Sequence, residues 1–93
     1  YYGNTVLHLA IDYYDADVLS LLLMYDIDIN YRNNLNDDTP LMLAARKGKS
    51  DMVKILLDKG ADKYIKNQED KTALDIAQSI LNDADVADNE IAM

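Results

Sequence analysis

Thr39-Pro40-Leu41-Met42-Leu43-Ala44 is the stretch whose reading decides the fold. It stands three times in the chain. Thr5-Val6-Leu7-His8-Leu9-Ala10 lies 34 residues earlier, and Thr72-Ala73-Leu74-Asp75-Ile76-Ala77 lies 33 residues later. Leu21-Leu22-Leu23 and Ile55-Leu56-Leu57 superpose at the same offset. Such a period marks an array of supersecondary units, each of which buries its apolar face against the next.

The middle copy shows the local physics. Thr39 can accept a backbone hydrogen bond as N-cap, and Pro40 falls at the first helical position, where its missing donor costs nothing. Leu41, Leu43 and Ala44 give this helix an apolar face, and Gly48 stands where a left-handed residue ends it. Ser50 or Asp51 then caps a second helix, in which Met52, Val53, Ile55, Leu56 and Leu57 recur at helical spacing up to Gly60. Each copy is a helical hairpin. Asp62 to Lys71 follow as a polar stretch without helical period, long enough for an extended excursion to the next threonine. Stacking of equivalent residues predicts a core of Leu7, Leu41 and Leu74; Leu9, Leu43 and Ile76; Ala10, Ala44 and Ala77; Leu22 and Leu56.

Thr39 to Ala45, Gly48, Ile55-Leu56-Leu57 and Gly60-Ala61-Asp62 together resemble the ankyrin repeat. The resemblance implies an all-α solenoid of stacked helical hairpins with protruding finger loops. It covers two and a half to three repeats: residues 1–33, 34–66 and an incomplete or atypical third at 67–93. It also implies that the first helices line a concave face, the second helices form the back, and the polar stretches are the fingers. Several residues depart from the pattern. Tyr14 stands in place of Gly48 and Asp26 in place of Gly60, while Asp37 and Asp70 replace the family's usual finger glycine. A tyrosine at positive φ is strained, so the first copy is expected to rebuild its turn and pack the ring. The third copy loses register after Ala77. An extended first helix through Ile80 and Leu81 restores it, with Ile91 opposite Val53, Met93 opposite Ile55, and a second helix cut short.

Composition narrows the function classes. The 93 residues suit one small domain, and 49% hydrophobic with 28% charged residues is the balance of a globular chain. Seventeen acids against nine bases give a net charge of -8, which repels phosphate backbones and anionic lipid and places nucleic acid and membrane surfaces last among partners. With no cysteine there are no disulfides and no thiolate chemistry, which fits a reducing, cytoplasmic setting. No apolar run approaches the roughly 18 residues of a membrane span, and the N-terminus lacks a signal-peptide pattern. The chain starts at Tyr1 and reads as a segment of something longer.

Nothing here makes an enzyme or calls for a cofactor or metal. His8, the only histidine, lies within the repeated helix and lacks the partners of a triad or zinc site, so it is read as structural. Asp26, Asp28, Asn30 and Asp37 copy some ligand positions of a calcium loop, but Tyr31 holds the place of the required glycine. The acids Asp83, Asp85, Asp88 and Glu90 have no better metal spacing and read as solvated. A glycosidase-like carboxylate pair needs a desolvated pocket that stacked hairpins do not offer. Gly3, Gly48 and Gly60 are isolated and form no phosphate loop. Leu22, Asp28, Ile29 and Asn30 are similar to the surroundings of ankyrin asparagines modified by an asparaginyl hydroxylase, which makes Asn30 a candidate substrate.

The leading expectation is a module that binds another protein. Residues 1–31 hold five acids and no base, 72–93 the same, while all nine bases lie within 32–71. That central charge suits a partner with an acidic patch, although solvated helix faces account for most charges in any protein. Tyrosine, the only aromatic, crowds the first copy and suits binding hot spots; Tyr1 and Tyr2 would equally suit packing on a preceding repeat. The expected contact set, by the family's geometry, is Tyr1, Tyr2, Asp12, Tyr13, Arg32, Leu35, Asn36, Asp38, Arg46, Lys47, Lys66, Gln68, Glu69 and Lys71. The alternative is a structural spacer within a longer array, its surfaces idle.

Overall fold

The computed structural model describes residues 6–33 and 35–80. Within them the chain is helical, and the helices come in antiparallel pairs. Helix α1 (Val6–Tyr13) pairs with α2 (Ala16–Leu22), and α3 (Pro40–Arg46) with α4 (Ser50–Asp58). A fifth helix, α5, occupies residues 73–80. α1 packs on α3 and α2 on α4, so the two hairpins stack in register as the repeat requires.

Local chemistry sets the helix ends. The Thr39 hydroxyl accepts from Met42 N at 3.3 Å, and Pro40 opens α3. Thr72 and Asp75 form a reciprocal capping box at the start of α5, with Thr72 N donating to Asp75 Oδ2 at 3.0 Å and Asp75 N to Thr72 Oγ1 at 3.2 Å. These donors hold the Asp75 carboxyl below its usual range, the Thr72 backbone amide most of all. Gly48 at φ 70° and Gly60 at φ 93° terminate α3 and α4 in the left-handed region. Asp37 at φ 60° and Asp70 at φ 62° adopt that conformation in the fingers, in the positions where the family uses glycine. The cap of α4 differs from expectation. Position N-cap belongs to Lys49, without a side-chain bond, and Ser50 is already helical, while Asp51 Oδ1 accepts only from its neighbour Met52 N.

The first copy rebuilds its turn, as expected, but without packing a ring. Among the described residues Asp37 and Asp70 are the non-glycine residues at positive φ, so Tyr14 is not forced left-handed. Asp15 becomes the N-cap of α2 and its carboxylate accepts from Val18 N at 3.0 Å. Tyr14 itself is 62% exposed, because the shortened turn points it outward. Asp26 likewise avoids positive φ, since α2 ends early at Leu22.

The core lies between the hairpins. Leu7, Ala10, Leu41, Ala44, Leu56 and Ile76 are buried as expected. Leu9, Leu22, Leu43 and Ala77 are only partly buried. Leu74 corrects the stacking scheme outright: it is 62% exposed, because no described element covers the outer side of α5. Ile11, Leu19, Met42 and Met52 complete the interior. The expected register of Ile91 and Met93, and the helix end at Leu81, lie outside the described residues.

Candidate functional site: the fingers and the first helices

The fingers are built around two asparagines in equivalent positions, Asn33 and Asn67, both 6% exposed. Asn33 Oδ1 accepts from Asn36 N and Asp38 N, both at 3.2 Å. Asn67 Oδ1 accepts from Glu69 N at 2.9 Å and Lys71 N at 3.1 Å. Each side chain thereby folds its finger into a closed turn, satisfying backbone donors that helices and strands do not reach. Gln68 N donates to the Asn36 carbonyl at 2.9 Å and ties one finger to the next.

Asp38 is the hub. Only 1% exposed, its carboxylate accepts from Arg46 Nε at 3.1 Å, Arg46 Nη2 at 3.3 Å and Asn67 Nδ2 at 3.0 Å. Its carbonyl accepts from Asn33 N at 3.0 Å and from His8 Nε2 at 2.9 Å. His8 thus joins the first helix of one copy to the finger of the next, the structural role expected of it. Burial pushes its pKa below 6.5, because the charged imidazolium would lose its hydration there.

The expected contact residues divide by accessibility. Tyr1 and Tyr2 lie outside the described residues. Asp38 is sealed inside, and Asn36 is half-buried with its carbonyl and Oδ1 engaged, so neither offers a free surface group. Arg46 is committed to Asp38, with its side chain 39% exposed. Lys47 Nζ stands 3.2 Å from Asp12 Oδ1, a charge contact without hydrogen-bond alignment, and Lys66 stands 3.6 Å from Asp70. Tyr13 at 75% and Leu35 at 73% are exposed apolar groups, one at the end of α1 and one on a finger. Arg32, Gln68, Glu69 and Lys71 are exposed. A shallow cleft of about 250 Å³ brings Arg46, Glu69 and Lys71 together over Ile76 and Ile80 of α5.

The central positive charge is therefore largely answered from within the chain: three of its bases face Asp38, Asp12 and Asp70. Sequence reasoning missed Asn33 and Asn67 as organisers of the fingers, although their 34-residue spacing is the repeat period itself. It also left Lys49, whose ammonium donates to the Ile11 carbonyl across the hairpins, unassigned.

Asn30 has a structural task. Its Oδ1 accepts from Asp62 N of the next copy at 2.8 Å, and its own N donates to Asp28 Oδ1 at 3.0 Å. Asp62 repeats that turn with Tyr64 N at 2.9 Å. Two calcium-loop candidates, Asp28 and Asn30, are thus turn formers, and no cluster of metal-ligating side chains occurs among the described residues. None of the described helices is long and apolar enough to cross a membrane.

Comparison with known proteins agrees with this geometry. A family model for ankyrin repeats in three copies matches residues 7–88. The chain is 33% identical over 93 residues to a glycerophosphocholine phosphodiesterase of Schizosaccharomyces pombe, covering 98% of this chain and 8% of that protein. An ankyrin repeat protein of fowlpox virus is 40% identical over 70 residues, 75% of this chain and 16% of its own. The alpha-latrotoxin of Latrodectus hasselti is 46% identical over 57 residues, 61% of this chain and 4% of the toxin. The chain therefore spans a small part of each of these relatives, and their names differ while the repeats are common to all.

Proposed function

The chain belongs to the ankyrin-repeat family, whose repeats are generally protein–protein interaction modules, and we propose that it binds a partner protein through its fingers and the exposed ends of its first helices, without catalysis. One observation carries this reading. Leu35 and Tyr13 expose large apolar side chains on a scaffold whose surrounding polar groups are already hydrogen-bonded or paired. Apolar and aromatic side chains held on a rigid frame lose little entropy when a partner covers them. Arg32, Lys71, Gln68 and Glu69 supply a polar rim, and Arg46 and Lys47 border it at the end of α3.

The internal pairing changes the expected chemistry of recognition. A surface whose cations face their own carboxylates attracts an acidic partner weakly, so contact area at Leu35 and Tyr13 outweighs steering. The division of the chain into 1–33, 34–66 and 67–93, and a cytoplasmic setting, belong to the same proposal.

The test is capture with the longer protein that contains this segment as bait, followed by Leu35→Ala and Tyr13→Ala. Each substitution should weaken binding by at least about tenfold, as for a hot-spot contact, with the melting temperature unchanged. Binding that survives both, or that never occurs, favours the spacer reading.

A further inference from the structure

Helix α4 is apolar on two flanks and is covered on one. Met52 and Leu56 are buried, and α2 packs against α4. The other flank, with Val53 and Leu57, faces an open groove of about 480 Å³ that Leu74, Ala77 and Ile80 of α5 close from the side, with Lys63 also in its lining. The first hairpin shows what this groove lacks. Leu19, equivalent to Val53, is 0% exposed because α4 lies over it, whereas Leu57 remains 41% exposed. α5 repeats the position of a first helix, so the vacant place is that of a second helix. Ile80, the last described residue, already lines it.

Thirteen residues follow Ile80, and their opening matches a segment with a known role in this fold. Asp83-Ala84-Asp85-Val86 repeats Asp15-Ala16-Asp17-Val18 residue for residue, 68 positions on, twice the period of the first two copies. In the earlier instance the aspartate caps α2 and the valine amide is its donor partner. Charge agrees as well. Asp83, Asp85, Asp88 and Glu90 form an acidic segment without a base, and Lys63 lies at the groove it would meet.

We propose that residues 83–93 cover this groove in cis, with Asp83 capping the segment as Asp15 caps α2 and Val86 seated against Val53. Val86 takes the position that Met52 holds in the second copy, where the side chain is 2% exposed. Asn89 and Glu90 stand where Ile55 and Leu56 would, so the cover is anchored by its first turn and is thinner beyond it. The groove is then an internal joint of the array and not a pocket for a ligand. This goes beyond the binding role above and does not depend on it.

The chain has no cysteine, so one introduced thiol reports on the groove without interference. In the full chain, Leu57→Cys should react with iodoacetamide at least about tenfold more slowly than Tyr64→Cys, an exposed control. Adding Val86→Asp should raise the Leu57→Cys rate to that of the control and leave the Tyr64→Cys rate unchanged. Should Val86→Asp unfold the chain by far-ultraviolet circular dichroism, Asp83→Ala, which removes only the cap, decides the matter and should raise the rate in the same direction. Equal rates at Leu57→Cys and Tyr64→Cys, or a Leu57→Cys rate indifferent to the change that leaves the chain folded, overturn the proposal.

Discussion

Arg46 grips Asp38 with two hydrogen bonds, Nε to Oδ2 at 3.1 Å and Nη2 to Oδ1 at 3.3 Å, spanning α3 from its last residue back to the finger that precedes it. The carboxylate is buried and the guanidinium partly exposed, so the pair is neither a surface ion pair nor a fully desolvated one. Asn67 from the next finger shares the same carboxylate at 3.0 Å, which makes one acidic side chain the joint between two repeats. Removing either charge leaves the other group poorly satisfied in a place water reaches badly.

Asp38→Ala should therefore cost about 2 kcal/mol of stability, the scale of lost hydrogen bonds to a charged group. Arg46→Ala should cost a comparable amount, since it strands the carboxylate. The double variant should cost less than the two losses added together. Urea unfolding of all four proteins gives the coupling, and strict additivity would show that the pair does not act as a unit.

Leu56 and Leu74 stand at opposite extremes of burial, at 0% and 62%. Leu56→Ala should cost about 2 to 5 kcal/mol through lost transfer energy and a cavity. Leu74→Ala should cost under about 1 kcal/mol if the outer side of α5 remains open. A larger loss at Leu74 would mean that this side is covered in solution.

His8 makes stability depend on pH in a definite direction. Its folded pKa lies below the ordinary 6.5, so on acidification the unfolded chain takes up this proton before the folded one does. The contribution is fully present above 6.5 and is lost as pH falls through 6.5 toward the folded value. The melting temperature should drop between about pH 8 and pH 5.5, and His8→Gln should flatten that drop while lowering stability throughout. An unchanged slope in His8→Gln would assign the effect to other groups.

Asp37 holds φ 60° in its finger, a conformation that costs aspartate little but alanine more. Asp37→Ala should destabilise by about 1 kcal/mol, whereas Asp37→Gly should fall within about 0.5 kcal/mol of the parent, strain relief offsetting glycine's greater freedom when unfolded. Thermal unfolding of the two variants separates them, and equal losses would exclude a conformational cause.

Tyr14→Gly should cost about 0.5 to 1 kcal/mol, because an exposed residue outside the left-handed region gains only unfolded-state entropy on becoming glycine. Stabilisation would mean that strain persists at this turn.

Much of this architecture is legible along the chain because each of its causes is local. Thr39 and Pro40 begin a helix, Gly48 and Gly60 end helices, and the return of the same leucines and alanines every 33 or 34 residues states that like faces meet. Helix caps and periodic burial depend on neighbours three or four positions away, so composition and spacing suffice to specify them. The surface is another matter. Asp38, Arg46 and Asn67 read individually as solvent-facing polar residues, and only their convergence from two fingers and a helix end makes them a buried network. Leu74 repeats the letter of Leu7 and Leu41 but not their burial, because burial belongs to what lies on the other side. Tyr14 replaces a glycine without strain because α2 starts earlier and the turn closes differently. Periodicity determined which residues form the helices and which faces stack. Which charges remain open to a partner was decided by contacts between residues about thirty positions apart, and those exist only once the repeats are stacked.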